Sequence, residues 1–174
     1  MREIESARLL LEPMTVSHAA ESLPFWQPAA LYQFIPGGPP DSLAALEQRY
    51  AKLESRTSPA GDEHWLNWFM RDKASRKLVG MVQVSLDKNR SAHLAYFVFH
   101  PRQRQGYATE ACLAVLAELR SHYGALDAYA DIDTRNTQSI ALVERLGFQR
   151  SETKLEADFF KGERSDEYIY RLKL

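Results

Sequence analysis

The chain has 174 residues, of which 45% are hydrophobic, 11% aromatic and 26% charged; this describes one globular domain, residues 1–174, able to bury roughly 70% of its unfolded surface. Twenty-two Lys and Arg against twenty-three Asp and Glu leave a formal net charge of -1, so there is no basic field to hold a polyphosphate backbone and no nucleic acid is expected as a partner. Cys112 is the only cysteine, which excludes an internal disulfide and a Cys-based metal cluster and fits a reducing cytoplasm; no export signal or membrane span is expected either, because the start is acidic and the longest apolar run covers residues 94–99.

Residues 7–11 read as a first strand, and Ser17 is placed to cap a short helix through residue 23. The Pro/Gly-rich stretch 35–40 reads as a loop between helices rather than a domain linker. Asp41 or Ser42 can cap a second helix, in which Leu43, Leu46, Tyr50 and Leu53 recur at helical spacing and form a face that should lie on a sheet. The period then changes. Residues 65–71, 78–86 and 92–99 are rich in branched and aromatic side chains and are separated by polar turns, which predicts three strands of an antiparallel meander.

A polar loop and Gly106 precede the strongest helix, residues 108–123, with Leu113, Leu116, Leu119 and Tyr123 on one flank and Gly124 after its end. Residues 126–132 alternate as a strand, and 136–146 form a last helix stopped by Gly147. Segments 149–157 and 167–172 predict a closing hairpin with Tyr168, Tyr170 and Leu172 on one face. The resulting order is mixed α/β, not a doubly wound nucleotide fold.

Chemistry concentrates between residues 95 and 111. There a strand enters a loop with Gly106 and the small Ala108, and a long helix opens whose first amides have no intrahelical acceptor, an arrangement suited to a phosphate or pyrophosphate. A tight strand-to-helix turn explains the same glycine about equally well. Neither the Gly-Lys-Ser/Thr phosphate loop nor the three-glycine dinucleotide fingerprint is present, which disfavours ATP and NAD.

Gln103-Arg104-Gln105-Gly106-Tyr107-Ala108 resembles the Gln/Arg-x-x-Gly-x-Gly/Ala acetyl-CoA loop of the GNAT acetyltransferase superfamily. Thr109-Glu110-Ala111, Asn136-Thr137-Gln138-Ser139 and Leu146-Gly147-Phe148 resemble its RimJ/RimL-type branch, and the likeness extends over almost the whole chain. The resemblance implies a central, mostly antiparallel sheet flanked by helices, with acetyl-CoA as co-substrate and no metal. It implies that Gln103, Arg104, Gln105, Gly106, Tyr107, Ala108 and Thr109 hold the pyrophosphate. Phe97, Val98 and Phe99 would carry the pantetheine arm, with the Val98 amide as oxyanion donor. Asn136 and Ser139 would lie near the sulfur. Pro101 stands one residue closer to Gly106 than in the commonest loop of this kind, which leaves the alignment of Phe99 and His100 open. Val143 stands where many relatives carry a thiolate-protonating tyrosine, so Ser139 becomes the side-chain acid.

The acceptor implied is a primary amine, either a protein N-terminus or a small molecule. An α-amine with a pKa of about 7.7 to 8.0 needs no strong base, whereas a lysine near 10.4 demands roughly 4 kcal/mol more. Asp131, Asp133 and His100 are base candidates, with turn or surface roles as the alternative. Glu110 reads as a helix-start residue and Cys112 as no nucleophile. Of Trp26, Trp65 and Trp68, at least two are expected in the core. Residues 23–40 and 159–165 are expected to shape the acceptor pocket. A homodimer is compatible with the sequence, and a non-catalytic acyl-CoA-binding sensor is the rival to the enzyme.

Overall fold

The computed structural model describes residues 1–174. One eight-stranded sheet runs in the order β1-β2-β3-β4-β5-β6-β8-β7, built from β1 (Ile4–Glu5), β2 (Leu9–Pro13), β3 (Glu63–Asp72), β4 (Leu78–Asp87), β5 (Ser91–Val98), β6 (Asp127–Asp133), β7 (Gln149–Phe160) and β8 (Glu163–Lys173). The helices are α1 (His18–Trp26), α2 (Leu43–Glu54), α3 (Tyr107–Ser121) and α4 (Thr137–Arg145). The expected mixed α/β sheet flanked by helices is what the chain adopts, and the meander β3-β4-β5 pairs antiparallel as predicted.

Several details differ from the sequence expectation. The first strand is shifted to Leu9–Pro13 and gains a two-residue partner in β1. Ser17 makes no capping bond; Thr15 instead holds the helix start, its amide donating to His18 Nδ1 at 3.2 Å. Ser42 does cap α2, accepting from the Ala45 amide at 3.1 Å. Leu116 and Leu119 of the expected flank are buried, but Leu113 is 54% exposed, because the face of α3 that lies on the sheet is centred on Ala108, Ala111, Cys112, Val115 and Leu119. The closing hairpin is longer than predicted. Residues 159–165, expected as a loop, are mostly its paired ends, joined at Lys161 and Gly162.

Strand alternation divides the interior in two. On one face Leu66, Trp68, Val82, Val84, Ala92 and Leu94 pack against α3 and α4; on the other Phe69, Met81, Phe97 and Phe99 pack against α1 and α2. Trp26 and Trp68 are core residues, and Trp65 is the half-buried third.

The feature that positions the site is a fork. β5 and β6, the sheet's one parallel pair, are in register only at Ser91↔Asp127, Ala92↔Ala128 and His93↔Tyr129. Beyond His93 the two strands part, β5 staying on β4 up to Gly80↔Val98 and β6 staying on β8 up to Asp133↔Glu167. Gly80 permits the close approach on one side of the fork, since a Cβ there would stand 2.2 Å from the Phe97 carbonyl oxygen.

Candidate active site

The far end of β5 has a free backbone edge. The Phe99 amide donates to the Val79 carbonyl at 2.9 Å, which sets the phase of the antiparallel ladder. Odd-numbered residues of β5 therefore bond to β4, and Tyr96 and Val98 turn their amides and carbonyls towards the gap. The Val98 carbonyl accepts from Gln103 Nε2 at 3.1 Å. The Val98 N–H faces the opening.

The loop that follows folds back to start α3. Arg104 (φ 62°) and Gly106 (φ 80°) both take left-handed backbone, the kind of alternation that turns successive amides towards one point. Every backbone N–H from residue 103 through 109 lacks an intramolecular acceptor, and the first helical bond of α3 is Glu110 N–H to the Gly106 carbonyl. At the start of a helix fifteen residues long, such a row is a strong anion site.

Side chains from elsewhere lock this loop. Arg8 donates to the Gln105 carbonyl at 2.9 Å and to Glu110 Oε2 at 2.7 Å, and its guanidinium lies over the Tyr107 ring. Burial by itself would raise the Glu110 carboxyl, but bonds from Arg8 and Ser6 outweigh it and hold the group below the usual carboxylate range. Glu110 is thus a brace, as its helix-start position suggests. Tyr107 donates to Asp72 Oδ2 at 3.0 Å, tying the first turn of α3 to the end of β3.

A cleft of about 880 Å³ gathers most of the predicted residues: Phe97, Val98, Gln103, Arg104, Gly106, Tyr107, Ala108, Thr109, Asn136 and Ser139 all line it. Two do not. Phe99 is fully buried, stacked on Phe25 at 5.1 Å and edge-on to Trp26, and the Gln105 side chain turns back to the Pro101 carbonyl. His100 does line the cleft. Asn136 caps α4 by accepting from the Ser139 amide at 3.1 Å, which orients the first turn of that helix across the cleft from β5. Val143 is completely buried, so that position offers no group to the cleft. Residues of the 23–40 segment, among them Pro28, Leu31 and Phe34, form the opposite wall. The hairpin tip meets this wall where Lys161 Nζ donates to the Tyr32 carbonyl.

Tyr96, Arg135 and Arg145 line the same cleft and were not singled out from the sequence. Tyr96 donates to the Ser139 carbonyl at 3.2 Å, bridging β5 and α4, and burial pushes its phenol well above the ordinary value, so it stays protonated. Its signal was its place two residues before Val98, on the same strand face. Arg135 is committed to Asp133, with Nη2 to Oδ2 at 2.7 Å, and this pairing holds the Asp133 carboxyl down to about 2. Ser165 donates to the same oxygen. Asp133 is therefore a turn anchor rather than a base, and Asp131, two residues earlier on β6, is the less constrained carboxylate, with Lys154 at 3.9 Å. Cys112 is fully buried and its thiol is pushed up by that burial, which removes it as a nucleophile. No group of three or more His, Cys, Asp or Glu side chains is placed to hold a metal ion, and no helix is long and apolar enough to cross a membrane.

A forked mixed sheet with an amide cradle at the mouth of the fork defines the class of N-acyltransferase folds. The family model for the acetyltransferase (GNAT) domain matches residues 8–149, and the chain belongs to this family. Among solved structures it is similar to the ribosomal-protein alpha-N-acetyltransferase RimL in complex with coenzyme A, at TM-score 0.87 and 16% identity over 99% of this chain and 98% of that one. It is similar to a ribosomal-protein-alanine acetyltransferase from Vibrio fischeri, at TM-score 0.85 and 15% identity over 99% and 97%. A spermidine N-acetyltransferase from Vibrio cholerae in complex with CoA and spermine matches at TM-score 0.83 and 18% identity over 96% of each chain. No curated protein matches.

Proposed function

We propose that this protein is a cytoplasmic enzyme of the RimJ/RimL type that moves the acetyl group of acetyl-CoA to a primary amine by direct attack in a ternary complex. The observation that carries the reading is the unbroken row of unpartnered amides at residues 103–109, opening onto the same cleft as the free edge of β5. In this reading the diphosphate of CoA sits on those amides at the start of α3. The pantetheine arm runs along Phe97 and Val98 as an added strand.

The Val98 N–H donates to the thioester oxygen, where negative charge develops as the amine nitrogen attacks the carbonyl carbon. The C–S bond then breaks and the thiolate takes up a proton through the Ser139 hydroxyl, which is reprotonated from solvent as solvent accepts the proton lost by the amine. A thiol with a reference pKa near 8.5 leaves readily, so the acid speeds the step rather than creating it. The buried Cys112 leaves no route through an acyl-cysteine. The similar structures named for protein N-termini and for spermidine support amine acceptors of both the protein and the small-molecule kind.

A thermal-shift titration with acetyl-CoA, CoA, ATP and phosphate tests the cofactor. A ligand at one hundred times its dissociation constant adds about 2.7 kcal/mol, several degrees for a domain of this size, and the shift is expected for the two CoA compounds alone. Release of free thiol on adding amines tests turnover. The buried Val143 favours one second reading, an acyl-CoA sensor without transfer; it predicts the CoA shift with no thiol release from any amine.

A further inference from the structure

The sheet face opposite α3 carries two rows of side chains that cross several strands. Trp65, Ser85, His93 and Tyr129 stand opposite one another in register, and Asn67, Gln83 and Ala95 form the next row. Asp131 follows Tyr129 by two residues on β6, so it faces the Ala95 row across the gap where the strands have parted. Together these residues line a groove of about 530 Å³, within the range of small-molecule sites. The groove meets the fork at Ala95; Val98 lies three residues further, about 10 Å along the strand.

Asn67 points to a ligand in this groove. It is 3% exposed, and its Nδ2 has no hydrogen-bond partner, an arrangement that costs about 1–3 kcal/mol until an acceptor is supplied. The same side chain lines the groove, so a ligand oxygen placed there satisfies it.

Charge gives the second requirement. Lys154 stands 3.9 Å from Asp131, and against Glu167 it is set opposite the carboxylates of Asp131, Asp158 and Asp133. Glu167 pairs with Asp133 in the β6–β8 register, which sets it diagonally from Asp131 on the same sheet face, and it makes no ion pair or side-chain hydrogen bond. Asp133 is already neutralised by Arg135. The rim is anionic where the groove opens to the fork, and Trp65 and Tyr129 supply aromatic surface beside it.

We infer that this groove takes a small acceptor amine that carries a second ammonium group and a hydroxyl or carbonyl oxygen, with Asp131 and Glu167 receiving the second charge and Asn67 donating to the oxygen. The inference rests on the amine-acetylation reading and narrows its substrate class.

Three matched acceptors test it: a seven-carbon chain with an amine at each end and a central hydroxyl, the same diamine without the hydroxyl, and the same alcohol with one amine. The hydroxylated diamine is expected to show kcat/KM about tenfold or more above the monoamine, and severalfold above the plain diamine. Asp131→Asn with Glu167→Gln brings the first ratio close to one, and Asn67→Leu does the same to the second; should Asn67→Leu not fold, Asn67→Ala reads the same ratio. Equal rates for the three acceptors, or ratios that survive the substitutions, overturn the groove assignment while acetyl transfer stands. If none is turned over, calorimetric binding of the three amines to the acetyl-CoA-loaded protein reads the same preferences without chemistry. Preference retained there keeps the groove and removes acetyl transfer, and its absence removes both.

Discussion

The two sides of the fork are built from different material. On the α3 side the polar groups are backbone amides of one continuous segment, residues 103–109, fixed by the left-handed turns at Arg104 and Gly106. On the opposite face they are side chains from four strands and their neighbours: Asn67, Gln83, His93 and Asp131. In the proposed function a backbone cradle recognises what all CoA thioesters share, and such a cradle tolerates change in most of its side chains. A side-chain groove changes with every substitution. The contrast explains how a fold can keep one co-substrate while its acceptor varies, and each of the following substitutions presses on one side of it.

The largest effect is expected at Gly106. With φ at 80°, a β-branched residue strains the backbone and turns the loop amides out of line, so Gly106→Val is expected to weaken acetyl-CoA binding by about a hundredfold or more, about 2.7 kcal/mol, in calorimetry. Gly80 comes next. A Cβ there collides with the Phe97 carbonyl oxygen, and Gly80→Val should cost about 1–3 kcal/mol in urea unfolding and lose acetyl-CoA affinity through the displaced edge of β5.

Asp133→Asn probes the anchor at the end of β6, which ties the turn before α4 to β8. Its carboxyl is held down to about 2 by Arg135, below an unfolded value of about 3.9, so the anchor adds stability above about pH 4 that is lost as the pH falls towards 2. The wild-type protein should therefore lose stability over that window, and the variant should begin about 1–3 kcal/mol less stable at neutral pH and lose less below it. Equal acid sensitivity of the two would remove Asp133 as the anchor. Ser139→Ala should lower kcat about tenfold with acetyl-CoA affinity unchanged, which separates proton donation from binding. The smallest effect is thermodynamic: Asn67→Leu removes an orphaned donor, and its melting temperature should match or slightly exceed the wild type in the absence of acceptor.

Much of the cradle was legible in the chain because its determinants are consecutive. Gly106, Ala108 and the helix they open can be read from a dozen residues, and so can the cap at Asn136, since each depends on local backbone geometry. Tyr96 and Arg145 escaped notice because nothing near them in sequence marks a cleft. Phe99 was expected with the pantetheine edge, yet strand alternation turns it into the core under Phe25 and Trp26. Leu113 was likewise grouped with Leu116 and Leu119 on one flank of α3; those two are buried, whereas Leu113 turns away from the sheet and is exposed.

By itself, then, the sequence determined the order of strands and helices, the antiparallel meander and the amide loop, because these follow from propensity, periodicity and turn chemistry within short stretches. Tertiary structure alone decided where β5 and β6 part, that Arg135 neutralises Asp133 while Glu167 is left without an ion pair, and that Asn67 Nδ2 lacks a partner. Those properties depend on residues far apart in the chain, brought together by strand register and packing that no local pattern encodes.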